Sequence, residues 1–358
     1  MKVLTIDSAL DGHHIAYLRE IIHGCDCDFT LILPEKSDVF AAQKVITYHP
    51  VDLVNKRFLP YMNWMKELAE IAKTEQPDII HFLVGDVYYK YLGAGLKLFK
   101  NYKTIITLHW VRQGALKQLS LKTFCHKVDK VVVHSSYLLK ELQQLGIQNG
   151  VQIEYPQFKR PNTITPKEAK LYWKIKSDVP VILSLGNTRE DKGIDILIEA
   201  LNKVNHPFRL LIAGKAEEFD EAYIREHTKK YAAQVITHLQ YLTDEEVELA
   251  IAAADIIALP YRYSFNGASG PLGEGVSHNK CIIGSNHGNL GDTIRENHLG
   301  YTFETENSDS LAEALGTALT RQFIPDKTYL AYRAKLNPAL FVDSYYKLYT
   351  KLQGTKSQ

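Results

Sequence analysis

The segment from Pro260 to Asn286 reads PYRYSFNGASGPLGEGVSHNKCIIGSN and couples a glycine-rich turn to the start of a helix that carries one isolated carboxylate. Ser269 and Gly270 fall where backbone N–H groups stand at a helix N-terminus, and the aligned peptide dipoles there favour an anion such as a diphosphate. Glu274 follows about one turn later. A carboxylate so close to a phosphate site repels phosphate, and hydrogen bonding to ribose hydroxyls suits it better, as in dinucleotide folds. Together these residues predict a pocket for a nucleotide sugar. The same letters would also serve an ordinary turn followed by an acid that complements the helix dipole, and the surrounding elements have to decide between the two.

A second loop offers the cation such a pocket needs. Gly186-Asn187-Thr188-Arg189-Glu190-Asp191-Lys192-Gly193 leaves an apolar run and enters a helical pattern. Lys192 can pair with a phosphate as a point charge while backbone amides supply direction, and Arg189 can add a second cation. The competing reading is a solvated loop of mixed charge.

The elements that would position these loops follow a simple rhythm. Short β-rich apolar runs alternate with helical patterns along the whole chain, which implies α/β architecture with parallel strands and crossover helices. Strands are expected at Val3–Asp7, Phe29–Leu33, Val45–Tyr48, Ile79–Val84, Thr104–His109, Val131–His134 and Val151–Glu154, with helices near His14–His23, Met62–Lys73, Tyr88–Phe99, Leu116–His126 and Tyr137–Leu145. A polar passage from Gln157 to Pro166 reads as a domain connection. The rhythm then restarts, with strands at Val181–Leu185, Arg209–Ala213, Val235–His238, Asp255–Leu259, Cys281–Ser285 and Tyr301–Phe303. Thr243 with Glu246 forms a capping box that starts one of the second half's helices. The expected domains are 1–156 and 167–325, followed by a helical segment, 326–358, that packs back toward the first domain. Its aromatic residues, Tyr329, Tyr332, Phe341, Tyr345, Tyr346 and Tyr349, read as packing. Parallel sheets bind ligands at the C-terminal ends of their strands, so the loops after strands, and a central cleft between the domains, are where chemistry is expected.

Bulk properties bound the function classes. A chain of 358 residues exceeds what one core usually serves. With 45% hydrophobic and 23% charged residues it has an ordinary globular balance, and a net charge of +1 gives no general attraction to nucleic acid. Cys25, Cys27, Cys125 and Cys281 show no zinc or thioredoxin spacing, so reduced thiols in the cytoplasm are expected. The start MKVLTIDSALDGHH lacks a signal-peptide pattern, and no apolar run approaches bilayer length.

The second half resembles the C-terminal domain of family 4 glycosyltransferases (glycosyl transferases group 1), which have the GT-B fold of two Rossmann-like domains and retain anomeric configuration. The family pattern of a strand, Gly-Arg, Lys-Gly five residues on and a helix is matched from Gly186 to Gly193, with Asn187 where arginine is usual. The family's Glu, seven residues, Glu signature falls on Asn266 and Glu274, with Ser269 and Gly270 in the intervening turn. In the first half the resemblance singles out His109, at the end of a strand whose histidine approaches the transferred sugar in the family. It also places Asp11-Gly12-His13-His14 where the family has a glycine-rich first turn, which implies acceptor binding by Gly12, His13 and His14. His81, also at a strand end, reads as a satisfied structural group.

The resemblance implies metal-independent transfer of a sugar from a nucleoside diphosphate to an acceptor hydroxyl in cell-envelope or exopolysaccharide synthesis, with no cofactor. Lys192, His109 and Asn266 would be catalytic, and Gly186, Asn187, Arg189, Ser269, Gly270 and Glu274 would bind the donor. A nucleotide-sugar epimerase, a glycogen-type phosphorylase and a non-catalytic sugar-nucleotide binding protein are the competing readings. From Asp86 to Lys130 nine basic residues face only Asp86 and Asp129, interleaved with aromatic residues. That imbalance fits either a solvated face or an anionic membrane surface presenting a lipid-linked glycan acceptor at the inner face.

Overall fold

The computed structural model describes residues 1–8, 10, 14–48, 57–85, 88, 91–109, 111, 114–158, 164–176, 179–265 and 267–354. The chain divides into two compact units, Met1–Phe158 with Asn337–Gln358, and Lys159–Leu336.

The first unit holds seven strands: β1 (Lys2–Ile6), β2 (Asp28–Leu33), β3 (Lys44–Thr47), β4 (Ile79–Phe82), β5 (Lys103–Leu108), β6 (Lys130–Val133) and β7 (Gly150–Gln152). They form one sheet of order β3-β2-β1-β4-β5-β6-β7, parallel throughout. Its helices include α1 (His14–Gly24), α2 (Phe58–Glu75), α3 (Ala115–Cys125) and α4 (Ser136–Gln144). Strands such as β4 and β6 are buried at successive positions because both faces are covered, and their residues are mostly apolar, which is the mark of a parallel sheet between helices. Tyr61, Trp64 and Leu68 of α2 pack with Ile80, Phe82 and Phe124 in one layer, and Leu18 and Ile21 of α1 pack with Val3, Leu31 and Ile79 in the other.

The helix expected over Tyr88–Phe99 does not form in its described part. Leu92, Gly93 and Gly95 take left-handed backbone angles, φ 51°, 59° and 82°, which interrupt any helical run, and a 3-10 turn follows at Leu96–Phe99. The interruption serves packing, since a Cβ on Gly93 would come within 2.2 Å of the Phe124 Cβ.

In the second unit β8 (Val181–Leu185), β9 (Arg209–Ala213), β10 (Val235–His238), β11 (Ile256–Leu259), β12 (Cys281–Ser285) and β13 (Gly300–Phe303) form a parallel sheet of order β10-β9-β8-β11-β12-β13. Around it lie α5 (Pro166–Tyr172), α6 (Ile194–Leu201), α7 (Glu221–His227), α8 (Asp244–Ala253), α9 (Gly270–Ser277), α10 (Gly288–Glu296), α11 (Ser308–Thr320) and α12 (Lys327–Lys335). The capping box of Thr243 and Glu246 is present at α8. A second one, Thr165 with Glu168, starts α5 directly after the polar connection.

The terminal segment splits at Asn337 rather than travelling together from 326. Helix α12 belongs to the second unit, where the buried Tyr329 hydroxyl donates to the carbonyls of Val276 and Lys280. Helix α13 (Pro338–Gly354) belongs to the first, burying Phe341, Tyr345 and Tyr349 against Tyr17, Phe29 and Ile79.

Candidate functional site

In the second sheet β8 and β11 are neighbours, yet β8 leads on to β9 on one side and β11 to β12 on the other. Loops that leave in opposite directions from adjacent strands open a crevice at the strand C-termini. Both loops singled out in the sequence lie there, 186–193 after β8 and 260–269 after β11.

Their backbones meet closely. Gly193 has φ 64° and lies so near Pro260 that a Cβ would stand 2.0 Å from the Pro260 carbonyl oxygen. Gly186, at φ 109°, turns the chain out of β8 and faces Gly214, where a Cβ would stand 2.2 Å from the Gly186 oxygen. Between the glycines the chain makes a 3-10 turn, Glu190–Lys192, and enters α6.

Lys192 projects to the second loop. Its Nζ lies 3.8 Å from the centroid of the Tyr261 ring and 4.4 Å from that of Phe265. The Tyr261 hydroxyl in turn is 3.1 Å from Ser269 Oγ. Ser269 is the N-cap of α9, accepting the Leu272 N–H at 3.3 Å, with Gly270 as first helical residue and Pro271 behind it. The cation of one loop and the helix N-terminus of the other are therefore joined through one aromatic side chain.

The two arginines are held locally. Arg189 forms a bidentate pair with Asp191, 2.9 Å at both oxygens, and so is engaged by a carboxylate within its own turn. Arg262 spans the loops: its backbone N–H donates to Asp191 O, its Nε to Glu190 O, and its guanidinium pairs with Asp195 at 2.5 Å. Asn187 Nδ2 donates to Glu217 Oε1 at 2.6 Å, which directs this side chain to a carboxylate. Asn266 lies outside the described residues.

Glu274 is half-buried in the second turn of α9. Its carbonyl accepts from the backbone and Nδ1 of His278, whose Nε2 is 2.9 Å from Glu248 Oε2. Burial of the His278 ring opposes its protonation, but the hydrogen bonds to Glu248 and to the Glu274 carbonyl outweigh burial and raise its pKa. A cavity of about 450 Å³ opens elsewhere on this unit, beside Phe208 and Arg209 at the N-terminal edge of β9, which is the wrong end of the strands for these loops.

The first unit gathers polar groups at its own strand ends. Asp7, directly after β1, is buried, and both its carboxylate oxygens lie 3.1 Å from Nδ1 of His14 at the start of α1. His109, directly after β5, has its ring 6.5 Å from His14, 5.8 Å from Tyr17 and 5.1 Å from His134. Gly12 and His13 lie outside the described residues. His81 is fully buried, with Nδ1 2.8 Å from the Tyr349 hydroxyl and Nε2 2.9 Å from Thr107 Oγ1, and burial pushes its pKa down to about 3. It is a satisfied core group.

Asp7, Tyr261 and Arg262 were not singled out from the sequence. A polar residue closing an apolar strand was the available signal for Asp7, and the position directly after Pro260 was the signal for Tyr261 and Arg262.

Residues 12–154 match the family Glycosyltransferase Family 4, and residues 167–336 match Glycosyl transferases group 1. A glycogen synthase of Fusobacterium nucleatum is 23% identical over 331 residues, which cover 86% of this chain and 65% of that protein. The chain thus spans less than two thirds of that relative's length. Among solved structures, a glycosyltransferase from Rickettsia africae aligns over 99% of both chains with a TM-score of 0.75 at 20% identity. Anabaena HepE in complex with UDP and glucose aligns over 98% of this chain and 100% of its own, with a TM-score of 0.69 at 14% identity. Two parallel α/β sheets, each matched by a glycosyltransferase family, and the fold of a solved glycosyltransferase from end to end place this chain among the GT-B glycosyltransferases of family 4 and group 1.

Proposed function

We propose that the chain transfers a sugar from a nucleoside diphosphate to an acceptor hydroxyl with retention of configuration, in the synthesis of cell-envelope or exopolysaccharide glycans. The observation that carries the reading is Lys192: among the described residues its ammonium makes no salt bridge, and it rests on the ring that also holds the N-cap of α9. The complex of HepE with UDP and glucose and the name of the glycogen synthase relative support a glucosyl nucleotide as the first donor to try.

Breaking the glycosidic bond leaves positive charge on the sugar and negative charge on the departing diphosphate. In this reading Lys192 and the first-turn amides of α9 stabilise the diphosphate, with no cofactor taking part. Glu274 accepts hydrogen bonds from the ribose hydroxyls, Gly186 and Asn187 line the donor loop, and Asn266 meets the sugar. Arg189 reaches the donor only by leaving Asp191, so its contribution is the smaller. In the first unit His109 approaches the transferred sugar, and His14, oriented by Asp7, joins Gly12 and His13 in acceptor recognition.

The test is release of nucleoside diphosphate from UDP-, ADP- and GDP-sugars, with and without glycan acceptors. Acceptor-dependent release that falls tenfold to a hundredfold in Lys192→Ala is expected, since a charge-assisted hydrogen bond contributes about 1.5–3 kcal/mol. Conversion of donor to an isomeric donor would establish an epimerase instead, and binding without turnover a sugar-nucleotide binding protein.

The acceptor side of the reading includes a lipid surface of anionic charge. Leu116 and Leu119 on α3 are 82% and 56% exposed, and Leu92 and Leu98 are exposed as well. Lysines accompany them: Lys127 Nζ donates to the carbonyls of Leu92 and Gly93, and its pKa is lowered by burial and then by the charge of Lys97. Exposed leucines among lysines suit an anionic interface. Cosedimentation with phosphatidylglycerol vesicles but not with phosphatidylcholine is expected, and no sedimentation with either retires this part. No helix among the described residues is long and apolar enough to cross a membrane.

A further inference from the structure

Tyr261 directly follows Pro260 at the end of β11, is 2% exposed, and has its ring 4.3 Å from that of Phe265. Lys192 Nζ lies over its ring face. Its hydroxyl meets Ser269 Oγ, and because that oxygen already accepts the Leu272 N–H, the tyrosine is placed to complete the N-cap. Its carbonyl accepts the hydroxyl of the fully buried Ser285 in β12, which anchors the residue to the sheet.

The surroundings of Lys192 make this more than packing. A lysine in a loop carrying Glu190 and Asp191, with Asp195 in the first turn of α6 behind it, would ordinarily pair with one of them. Here Asp191 is taken by Arg189 and Asp195 by Arg262. Two acids near the lysine are thereby neutralised by arginines. The ammonium is left on an aromatic face, which attracts a cation without supplying a competing anion. A cation held in that way keeps its N–H donors for an anion that arrives later.

We infer that Tyr261 is the positioning residue for the donor's diphosphate: its ring seats the Lys192 ammonium and its hydroxyl holds Ser269, so that both phosphate-binding elements are aimed before the donor enters. This rests on the donor reading given above. The role differs from that of a residue touching substrate, because Tyr261 acts through Lys192 and Ser269.

The experiment measures binding of UDP, ADP and GDP, and of uridine, adenosine and guanosine, to the wild type, Lys192→Ala, Tyr261→Leu and the double variant by calorimetry. For the diphosphate that binds most tightly, Tyr261→Leu should weaken affinity about tenfold while leaving the matching nucleoside unchanged, and in the Lys192→Ala background only the hydroxyl's share, about threefold, should remain. A loss that is equal for diphosphate and nucleoside, or that is the same in both backgrounds, overturns the inference. Diphosphate affinity that Lys192→Ala does not alter, or no diphosphate binding by the wild type, overturns the donor reading and this inference with it. If Tyr261→Leu fails to fold, Tyr261→Phe and Ser269→Ala supply a second cycle. Each should cost about threefold in diphosphate affinity, and the pair no more than either alone; multiplying losses overturn the role of the hydroxyl.

Discussion

Gly193→Ala tests whether the close meeting of the two loops is what places Lys192. Two costs can be worked from the backbone. At φ 64° a residue with a Cβ is in the left-handed region, which costs roughly 1–2 kcal/mol. The added Cβ would also stand 2.0 Å from the Pro260 carbonyl oxygen, whereas a carbon–oxygen contact settles near about 3.3 Å, so the loop must retreat by about 1 Å. The obstacle is backbone at the end of a buried strand and cannot rotate away, so the 3-10 turn that carries Lys192 has to move. A misplacement of about 1 Å at a reacting centre can lower turnover about a hundredfold. The expected result is a modest loss of stability, about 1–3 kcal/mol by urea unfolding, beside a disproportionate loss of kcat in the nucleoside diphosphate release assay. Wild-type kcat with only the stability loss would refute the reasoning, because it would mean that the position of Lys192 does not matter to the chemistry.

Other changes have outcomes as definite. Glu274→Ala should raise the donor KM by about tenfold with little change in kcat, the pattern expected when a ribose contact made equally in ground and transition states is removed. A change in thermal stability alone would make Glu274 a dipole-complementing acid. Arg262→Ala breaks the pair with Asp195 and the bond to the Glu190 carbonyl, and should cost about 1–3 kcal/mol of stability. It should also lower kcat as the loop loosens, and Arg262→Lys should not restore both contacts; full rescue by lysine would show that only charge matters there. His81 carries a pH signature. Its folded pKa of about 3 lies below its unfolded value, so the unfolded chain binds the extra proton first. The neutral ring's stability is complete above about pH 6.5 and is lost as pH falls toward 3, at about 1.4 kcal/mol per unit. The difference in urea midpoint between pH 7 and pH 5 should therefore shrink in His81→Gln, and an unchanged difference would contradict the assignment.

How far each level of structure is legible follows from the range of the interactions that produce it. Alternating apolar runs and helical stretches declare two parallel α/β sheets, because a strand covered on both faces is largely apolar, as β8 and β12 are, with every residue of both buried. The capping box at Thr243 and the loops after β8 and β11 are equally local, since caps and turns involve residues a few positions apart. Those features decided that Lys192 and Ser269 lie at strand ends. The same local rules missed the left-handed turn at Leu92–Gly95, whose backbone is set by the approach of Phe124 from another element.

What only the tertiary structure decided is which of the strand-end residues meet. Arg262 reaches Asp195 from 67 residues away, Lys192 finds the face of Tyr261, and Asp7 takes the ring of His14. The first two depend on β8 and β11 being neighbours although β9 and β10 lie between them in the chain, an ordering that periodicity does not encode. The amino-acid sequence by itself determined the chemistry available at each loop; sheet order determined that a lysine without a carboxylate partner among the described residues, an aromatic seat and a helix N-terminus share one place.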